Sequence, residues 1–345
     1  MEHDSIIGLD IAKSVFQVHR TDASGAVLEL RTLRRGALLG YFAKLPASLV
    51  GLEACAGAHH WARSISALGH EVRLIAPSYV KPYVQRQKND AADAAAIAEA
   101  VSRPHMRFVP HKSVSQQGAL MLHRVRDLLI KQRTMTINAL RAHLSELGIV
   151  SAKGRDGAST LAALVEGDEE SGDGADALDA LARSALRGLV AQLRALHGEI
   201  TALDRRILAW HRTNEVSQRL ATIPGIGVVT ASALAATLGD GSAFHSSRQL
   251  AAWLGLVPRQ NSSGGKARLG RITKQGDPYL RRLLVTGATS ALKGSKRSAG
   301  PYPWATALLG RKPYRLATVA LANQMARIVW AVLNTGQPYR KAATI

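Results

Sequence analysis

SIIGLDIAKSVFQVHRTDASGAVLELRT, residues 5–32, reads as three short strands in succession. SIIGLD (5–10), SVFQVHR (14–20) and VLELRT (27–32) have strand length and strand composition, and Ala23-Ser24-Gly25 supplies a hairpin turn. GALLGYFAKL (36–45) then changes to helical spacing. SLVGLEA (48–54) is a strand, GAHHWARSISALG (57–69) a helix and EVRLIA (71–76) a strand. A polar connection, PSYVKPYVQRQKN (77–89), leads into the alanine-rich helix AADAAAIAEAVS (91–102). Three strands followed by alternating helix and strand predict a mixed sheet with helices on its faces.

The rest of the chain reads differently. Ser115–Leu147 is a long helix with few breakers, and 150–178, rich in Gly, Ser, Asp and Glu, reads as a linker or mobile insertion. Leu186, Leu189, Leu193, Leu196, Ile200, Leu203, Ile207 and Trp210 alternate spacings of three and four. That is an a/d seam, expected for a coiled-coil stalk that dimerises, or for a helix packed on its own domain. LATIPGIGVVTASALAATLGD (220–240) places Ile223-Pro-Gly-Ile-Gly227 between two apolar helical stretches, like the turn of a helix-hairpin-helix element. There Gly225 and Gly227 would let backbone N–H groups approach a phosphate; an ordinary tight helix–helix turn explains the same residues. The expected division is 1–112, 113–215 with a variable insertion near 150–178, and a mainly helical 216–345.

With 345 residues and 46% apolar composition the chain is globular and long enough for two or three domains. The net charge of +20 points to polyanionic partners. It is not evenly spread. Seven acids and no Lys or Arg fall between Glu166 and Asp179, whereas from Gly241 onwards 17 Lys and Arg face a single acid, Asp277. Nucleic acid is therefore the expected partner. The lone Cys55 excludes an internal disulfide, fits a reducing compartment, and reads as a small buried apolar residue. Asp10 interrupts the apolar start, so no signal peptide is expected. Leu316–Leu333 contains Asn323 and Arg327 and reads as a buried helix, not a membrane span. The five tryptophans read as core, with base stacking open to Trp304.

Four acids carry the chemistry. Asp10 and Glu53 end two strands; Asp90 and Asp93 stand i, i+3 at a helix start and share a face. Strand ends and first helical turns are ordinary places for single acids. Four carboxylates brought together would repel and raise one another's pKa values, and a hard divalent cation such as Mg²⁺, or Mn²⁺, relieves that. Two such ions can position and polarise a phosphodiester. His59 and His60, without Cys or further His at ligand spacing, make no zinc motif and read as exposed residues at a helix end.

NSSGGKARLGRITKQG (261–276) reads as a loop and needs a separate reading. It fails the P-loop, because Ala267 follows Gly-Gly-Lys, and GIGVVT fails the dinucleotide fingerprint because Thr230 replaces the third glycine. Nucleotide hydrolysis is not expected. Lys266, Arg268, Arg271 and Lys274 can neutralise phosphate charge, and Gly264 and Gly265 let the backbone approach DNA. Arg259, Arg281 and Arg282 extend the same basic surface.

GLDIAK (8–13), LEA (52–54) and KNDAADA (88–94), in that order, resemble the Asp-Glu-Asp-Asp site of a RuvC-like domain with a ribonuclease H-like fold. With IPGIG and WLGLVPRQNSSGGKARLGRITKQGDPYLRRLL (253–284), nearly the whole chain resembles bacterial insertion-sequence transposases of the serine-dependent DEDD type, guided by a bridge RNA. Asn89 departs from the family, which more often has Thr or Ser before the third acid. The resemblance implies Mg²⁺ held by Asp10, Glu53, Asp90 and Asp93, and a C-terminal serine that attacks DNA. The serine–phosphate link so formed keeps the bond energy for rejoining. The resemblance also implies a structured RNA from the same element that pairs with donor and target DNA, homodimers that pair into tetramers, and action in the cytoplasm at the nucleoid, with no membrane. The family's nucleophile directly precedes a glycine, which matches Ser263; Ser262 is the alternative. Two other functions stay open on the residues. One is a junction-resolving nuclease that uses water; the other is a non-catalytic, architectural nucleic-acid-binding protein.

Overall fold

The computed structural model describes residues 4–84, 89–167, 178–294 and 300–340. Residues 168–177, most of the acidic stretch assigned to an insertion, lie outside the described residues, as do 85–88 of the polar connection. The chain divides into two compact units, 1–113 and 114–345.

Unit one holds β1 (Ile6–Ile11), β2 (Val15–Thr21), β3 (Val27–Arg34), α1 (Leu38–Phe42), β4 (Leu49–Glu53), α2 (Ala58–Ser66), β5 (Glu71–Ile75), α3 (Pro77–Val80), α4 (Asp90–Val101) and β6 (Phe108–Val109). The strands form one mixed sheet in the order β3-β2-β1-β4-β5-β6. β1, β4 and β5 run parallel; β2, β3 and β6 are antiparallel to their neighbours. The period of two in β1 sorts its side chains. Ile7 and Leu9 enter a core with Phe16, Val18, Phe42, Leu52, Trp61 and Ile65. Ile6 joins the opposite core with Ile97, Ala100 and Val101 of α4.

Two glycines set how closely α4 approaches. They stand opposite each other in the β1/β4 register. A Cβ on Gly8 would lie 2.0 Å from the Ala94 carbonyl oxygen, and one on Gly51 would lie 2.8 Å from Val101 Cβ. Only backbone without a side chain lets the helix lie this close. Asn89 caps α4, its side-chain oxygen accepting from Ala92 N–H at 2.7 Å.

Unit two begins with α5 (Val114–Glu146), followed by α6 (Arg155–Glu166) and α7 (Ala180–Thr213). α6 lies inside the stretch read as a linker; Leu161 and Val165 pack with Leu140 and Leu144 of α5 and Leu186 and Val190 of α7. The seam residues Leu186, Leu196, Ile200, Leu203 and Ile207 are buried within the single chain. α5 carries a separate outward stripe of exposed Met121, Val125, Leu128 and Met135. These recur at helical spacing, with Val114 exposed one heptad earlier.

The remaining elements are α8 (Glu215–Ala221), α9 (Val228–Leu238), α10 (Ser247–Trp253), β7 (Pro258–Gln260), β8 (Leu269–Ile272), α11 (Pro278–Gly294), α12 (Pro303–Leu309) and α13 (Tyr314–Thr335). By length and composition α13 could cross a membrane. Its Leu321, Met325 and Val329 are instead fully buried in the core of this unit, as the sequence reading expects. Cys55 is exposed, contrary to the buried reading, because it sits in the turn after β4. Trp253 and Trp304 are 37% and 39% exposed, so the tryptophans are not uniformly core.

One buried polar chain ties α5, α9 and α11. Tyr279 O–H donates to His123 Nδ1 at 3.0 Å, and His123 Nε2–H donates to Ser232 Oγ at 3.1 Å. Ser232 in turn donates to the Val228 carbonyl. Burial, then Arg126 and Arg124, push His123 down to about 4 from 6.5. The unfolded chain therefore binds the extra proton between these values, so this contribution is full above pH 6.5 and lost as pH falls towards 4. Unfolding free energy should drop by about 2 kcal/mol from this group between pH 7 and roughly pH 5. Denaturant titrations at both pH values check this: His123→Gln should flatten the pH dependence by that amount.

Candidate active site: an acidic cluster and a serine hairpin

The four sequence-selected acids all lie in unit one. The parallel register pairs Leu9 with Leu52, so the next residues along, Asp10 and Glu53, leave the sheet side by side. Asp90 and Asp93 occupy the first turn of α4. Because Gly8 lets α4 settle on β1, carboxylate oxygens of Asp10, Asp90 and Asp93 come within 4.8 Å of one another. Glu53 is outside that trio but acts on Asp10 through its charge.

Asp10 shows the cost of this crowding. Burial first, then Asp93, Asp90 and Glu53, raise its pKa from 3.8 to about 6, against one opposing hydrogen bond from the Ile11 backbone. Oxygens on opposite sides of a six-coordinate Mg²⁺ stand about 4.2 Å apart, so the trio needs only small adjustment to share one cation. All donors are hard carboxylate oxygens, and the cluster's repulsion is what a divalent cation would remove. The residues present fit a divalent metal.

Gly8→Ala tests the packing that builds the cluster. The new methyl meets backbone, which cannot swing away, so a stability loss of about 1–3 kcal/mol is expected. Displacing α4 by a fraction of an ångström to an ångström should also move Asp90 and Asp93 away from Asp10 and weaken divalent-metal binding roughly 10- to 100-fold. Thermal unfolding and calorimetric metal titration on the same preparation measure the two effects.

His59, expected to be an exposed helix-end residue, is half-buried in α2. Its Nε2 lies 3.3 Å from Lys112 Nζ, and burial with Lys112, His111 and Arg63 lowers its pKa to about 4. Fifty-three residues separate the partners, so local sequence gives no signal of the pair.

The second feature is in unit two. The stretch read as a loop is a two-stranded hairpin of β7 and β8. Its inner turn is Ser263-Gly264-Gly265-Lys266, closed by Lys266 N–H donating to Ser263 O at 3.1 Å. Gly264 and Gly265 have φ of 54° and 75°. Two successive positive φ values are the requirement of a type I′ turn, which explains the Gly-Gly pair without DNA. A Cβ at either glycine would meet nothing within 4 Å, so the turn's surface is also open.

The hairpin separates the two serines. Ser262 Oγ accepts a hydrogen bond from Arg268 N–H at 3.1 Å and so helps hold the strands together. Ser263 is exposed at the turn, and its hydroxyl makes no hydrogen bond among the described residues. Lys266, Arg268, Arg271 and Lys274 are all exposed, without a salt bridge among the described residues.

The other basic and glycine positions differ in circumstance. Arg259 donates to the Thr273 carbonyl at 3.4 Å within the hairpin. Arg281 donates to the carbonyls of Leu254 and Gln275. Arg282 pairs with Asp127 and stands over the Tyr279 ring at 5.2 Å, yet remains half-exposed. Gly225, at φ 88°, is pressed against α11: a Cβ there would lie 2.8 Å from Gly287 O. Gly227 caps α9 and faces open space.

Comparison with known proteins matches regions of this chain that include the acidic cluster and the hairpin. A family model described as Transposase IS116/IS110/IS902 family matches residues 217–302, and an IS110 DEDD transposase model matches residues 7–149. A putative transposase, y4pF/y4sB, of Sinorhizobium fredii is 46% identical over 97% of this chain and 86% of its own length. The transposase for insertion sequence element IS1111A of Coxiella burnetii is 40% identical over 99% of this chain and 93% of its own. A pilin gene-inverting protein of Moraxella bovis is 32% identical over 43% of this chain and 48% of its own.

Proposed function

Because the chain belongs to the IS110/IS116 family of insertion-sequence transposases, we propose that it exchanges DNA strands through a covalent bond between Ser263 and a DNA phosphate. The free Ser263 hydroxyl at the open end of a basic hairpin carries this reading. Ser263 Oγ attacks phosphorus, the deoxyribose oxygen leaves and takes up a proton, and the Oγ proton is released. One phosphodiester replaces another, so a second deoxyribose hydroxyl can reverse the step and rejoin strands.

Lys266, Arg268, Arg271 and Lys274 neutralise charge that builds on the phosphate. Asp10, Glu53, Asp90 and Asp93 hold Mg²⁺, or Mn²⁺. When bound, the metal polarises the scissile phosphate and lowers the pKa of the attacking hydroxyl. Asp10, with its elevated pKa, takes the ligand role only once deprotonated. The turn between α8 and α9 serves as a helix-hairpin-helix-like contact, with Gly227 exposing α9's first N–H groups to a backbone phosphate. The working division is a RuvC-like region over 1–112, a helical stalk over 113–215 and a serine-bearing region over 216–345.

A structured RNA from the same element supplies target choice by base pairing, and the protein acts on donor and target DNA at the nucleoid. The chain works as a homodimer that pairs into a tetramer, with the acids of one subunit serving the serine of another. Five of the eight seam positions of α7 are buried within the chain, so the outward stripe on α5 is the better dimer surface.

Incubation with DNA bearing the element's ends, followed by denaturing gels, tests the reading. A protein–DNA adduct supports it. Cleavage without adduct favours a water-using nuclease, and Mg²⁺-indifferent binding without cleavage an architectural protein. Sequencing the co-purifying RNA tests guidance: a discrete species from beside the gene supports it, and random cellular RNA opposes it.

A further inference from the structure

We infer that Arg281, with Asn323, is a positioning residue that fixes the direction in which the Ser263 hairpin projects. The inference rests on Ser263 as nucleophile. Arg281 belongs by sequence to the basic surface, but its hydrogen bonds point elsewhere.

The hairpin is exposed along residues 258–271 and, among the described residues, is anchored at its feet. The feet are 253–257 and 273–276, which cross at close range. Thr273 N–H donates to Val257 O at 2.9 Å and Lys274 N–H to Gly255 O at 3.1 Å. A Cβ on Gly276 would lie 1.9 Å from Trp253 O, and one on Gly255 would lie 2.4 Å from the Gln275 backbone. Gly255, Lys274 and Gly276 all have positive φ, at 69°, 56° and 71°. Lys274 is the one non-glycine residue in that region among those described. A left-handed lysine is uncommon and persists where the surroundings dictate the backbone.

What dictates it comes from two helices. Arg281, in the first turn of α11, donates from one guanidinium nitrogen to Leu254 O at 3.0 Å and Gln275 O at 2.7 Å, one carbonyl in each foot. Asn323 of α13 donates to Leu256 O at 3.1 Å. Asp277 caps α11 by accepting from Tyr279 and Leu280 N–H. Asp277 also accepts from Arg124 of α5 at 2.8 Å. The chain's only acid beyond Gly241 thus fastens the end of the second foot, and the helix bearing Arg281, to α5. A small rotation at the feet would be amplified at Ser263, nine residues beyond Leu254.

Lysine separates positioning from phosphate binding, since it keeps the charge but its shorter side chain does not carry a planar nitrogen out to where Arg281 Nη1 donates to both carbonyls. In Arg281→Lys the rate constant for serine–DNA adduct formation at saturating DNA should fall roughly 10- to 100-fold. The half-saturating DNA concentration and its salt dependence should not change. Asn323→Ala should shift the rate constant in the same direction by less. A partly unfolded variant would lose adduct amplitude, not rate constant, so the two readouts distinguish positioning from general loosening.

An Arg281→Lys protein with the wild-type rate, or an Arg281→Gln protein whose main defect is weaker DNA binding with a salt slope smaller by about one, would overturn the inference. Ser263→Ala is run alongside. If it still forms the adduct, the nucleophile assignment fails; if it does not while Arg281→Lys reacts normally, only the positioning role fails.

Discussion

Ser263→Ala should fold, bind DNA with unchanged affinity, and lose strand exchange by on the order of 10⁴-fold or more, as expected when a nucleophile is removed. Ser262→Ala should stay within about tenfold of wild type, since it loses one hydrogen bond of ordinary strength. The asymmetry comes from the hairpin. Ser262 Oγ is committed to Arg268 N–H, whereas Ser263 is exposed and uncommitted among the described residues. Recombination assays with paired donor and target DNA measure both variants. Equal losses, or the larger loss at Ser262, would reverse the assignment.

Asp10→Asn should abolish metal-dependent chemistry and stabilise the metal-free protein. The two effects are linked by one cause. Asp10 titrates near 6 because it is half-buried beside Asp93, Asp90 and Glu53. A folded pKa raised above the unfolded value of 3.8 means the native state binds the extra proton across that window. Above about pH 6 the ionised group therefore opposes folding, and removing it relieves that strain. With the group half-exposed, solvent screening reduces the gain to about 1 kcal/mol. Wild type should gain thermal stability on adding Mg²⁺, and Asp10→Asn should not. Wild-type Mg²⁺ or Mn²⁺ affinity should weaken towards tenfold per pH unit below about pH 6, as the Asp10 proton competes with the metal. Calorimetric metal titration at several pH values measures this. A destabilised Asp10→Asn that keeps its metal response would give Asp10 a structural role only.

The acidic site was more legible in the sequence than the serine's setting. Strand alternation located Asp10 and Glu53 at strand ends, and i, i+3 spacing put Asp90 and Asp93 on one helix face. What the pattern did not carry was why they meet. That depends on Gly8 and Gly51 accepting α4, a contact across some ninety residues of chain in the case of Gly8 and Ala98. The hairpin reads as a loop because β7 spans only Pro258–Gln260 and, like most of β8, is exposed. Strands held by each other's backbone, without a buried face, show no alternation. α6 was lost in the Gly, Ser and acidic residues around it, although its own Leu161 and Val165 pack as an amphipathic helix does.

The α7 seam reads as the a/d stripe of a dimerising stalk or of a helix packed on its own domain, because periodicity does not say whether the covering helix belongs to the same chain. Much of it is buried within this chain. Arginine is likewise ambiguous in sequence. Arg271 is exposed and makes no salt bridge among the described residues, while Arg281 serves two carbonyls ten residues on.

The most direct measurement is to trap the reaction on DNA carrying the element's ends, digest the protein, and identify the modified peptide by mass spectrometry, with Mg²⁺ and with chelator. A single phosphodeoxynucleotide adduct on Ser263, formed only with the metal, is the predicted result. An adduct on another residue, or cleaved DNA with no adduct at all, would contradict the account.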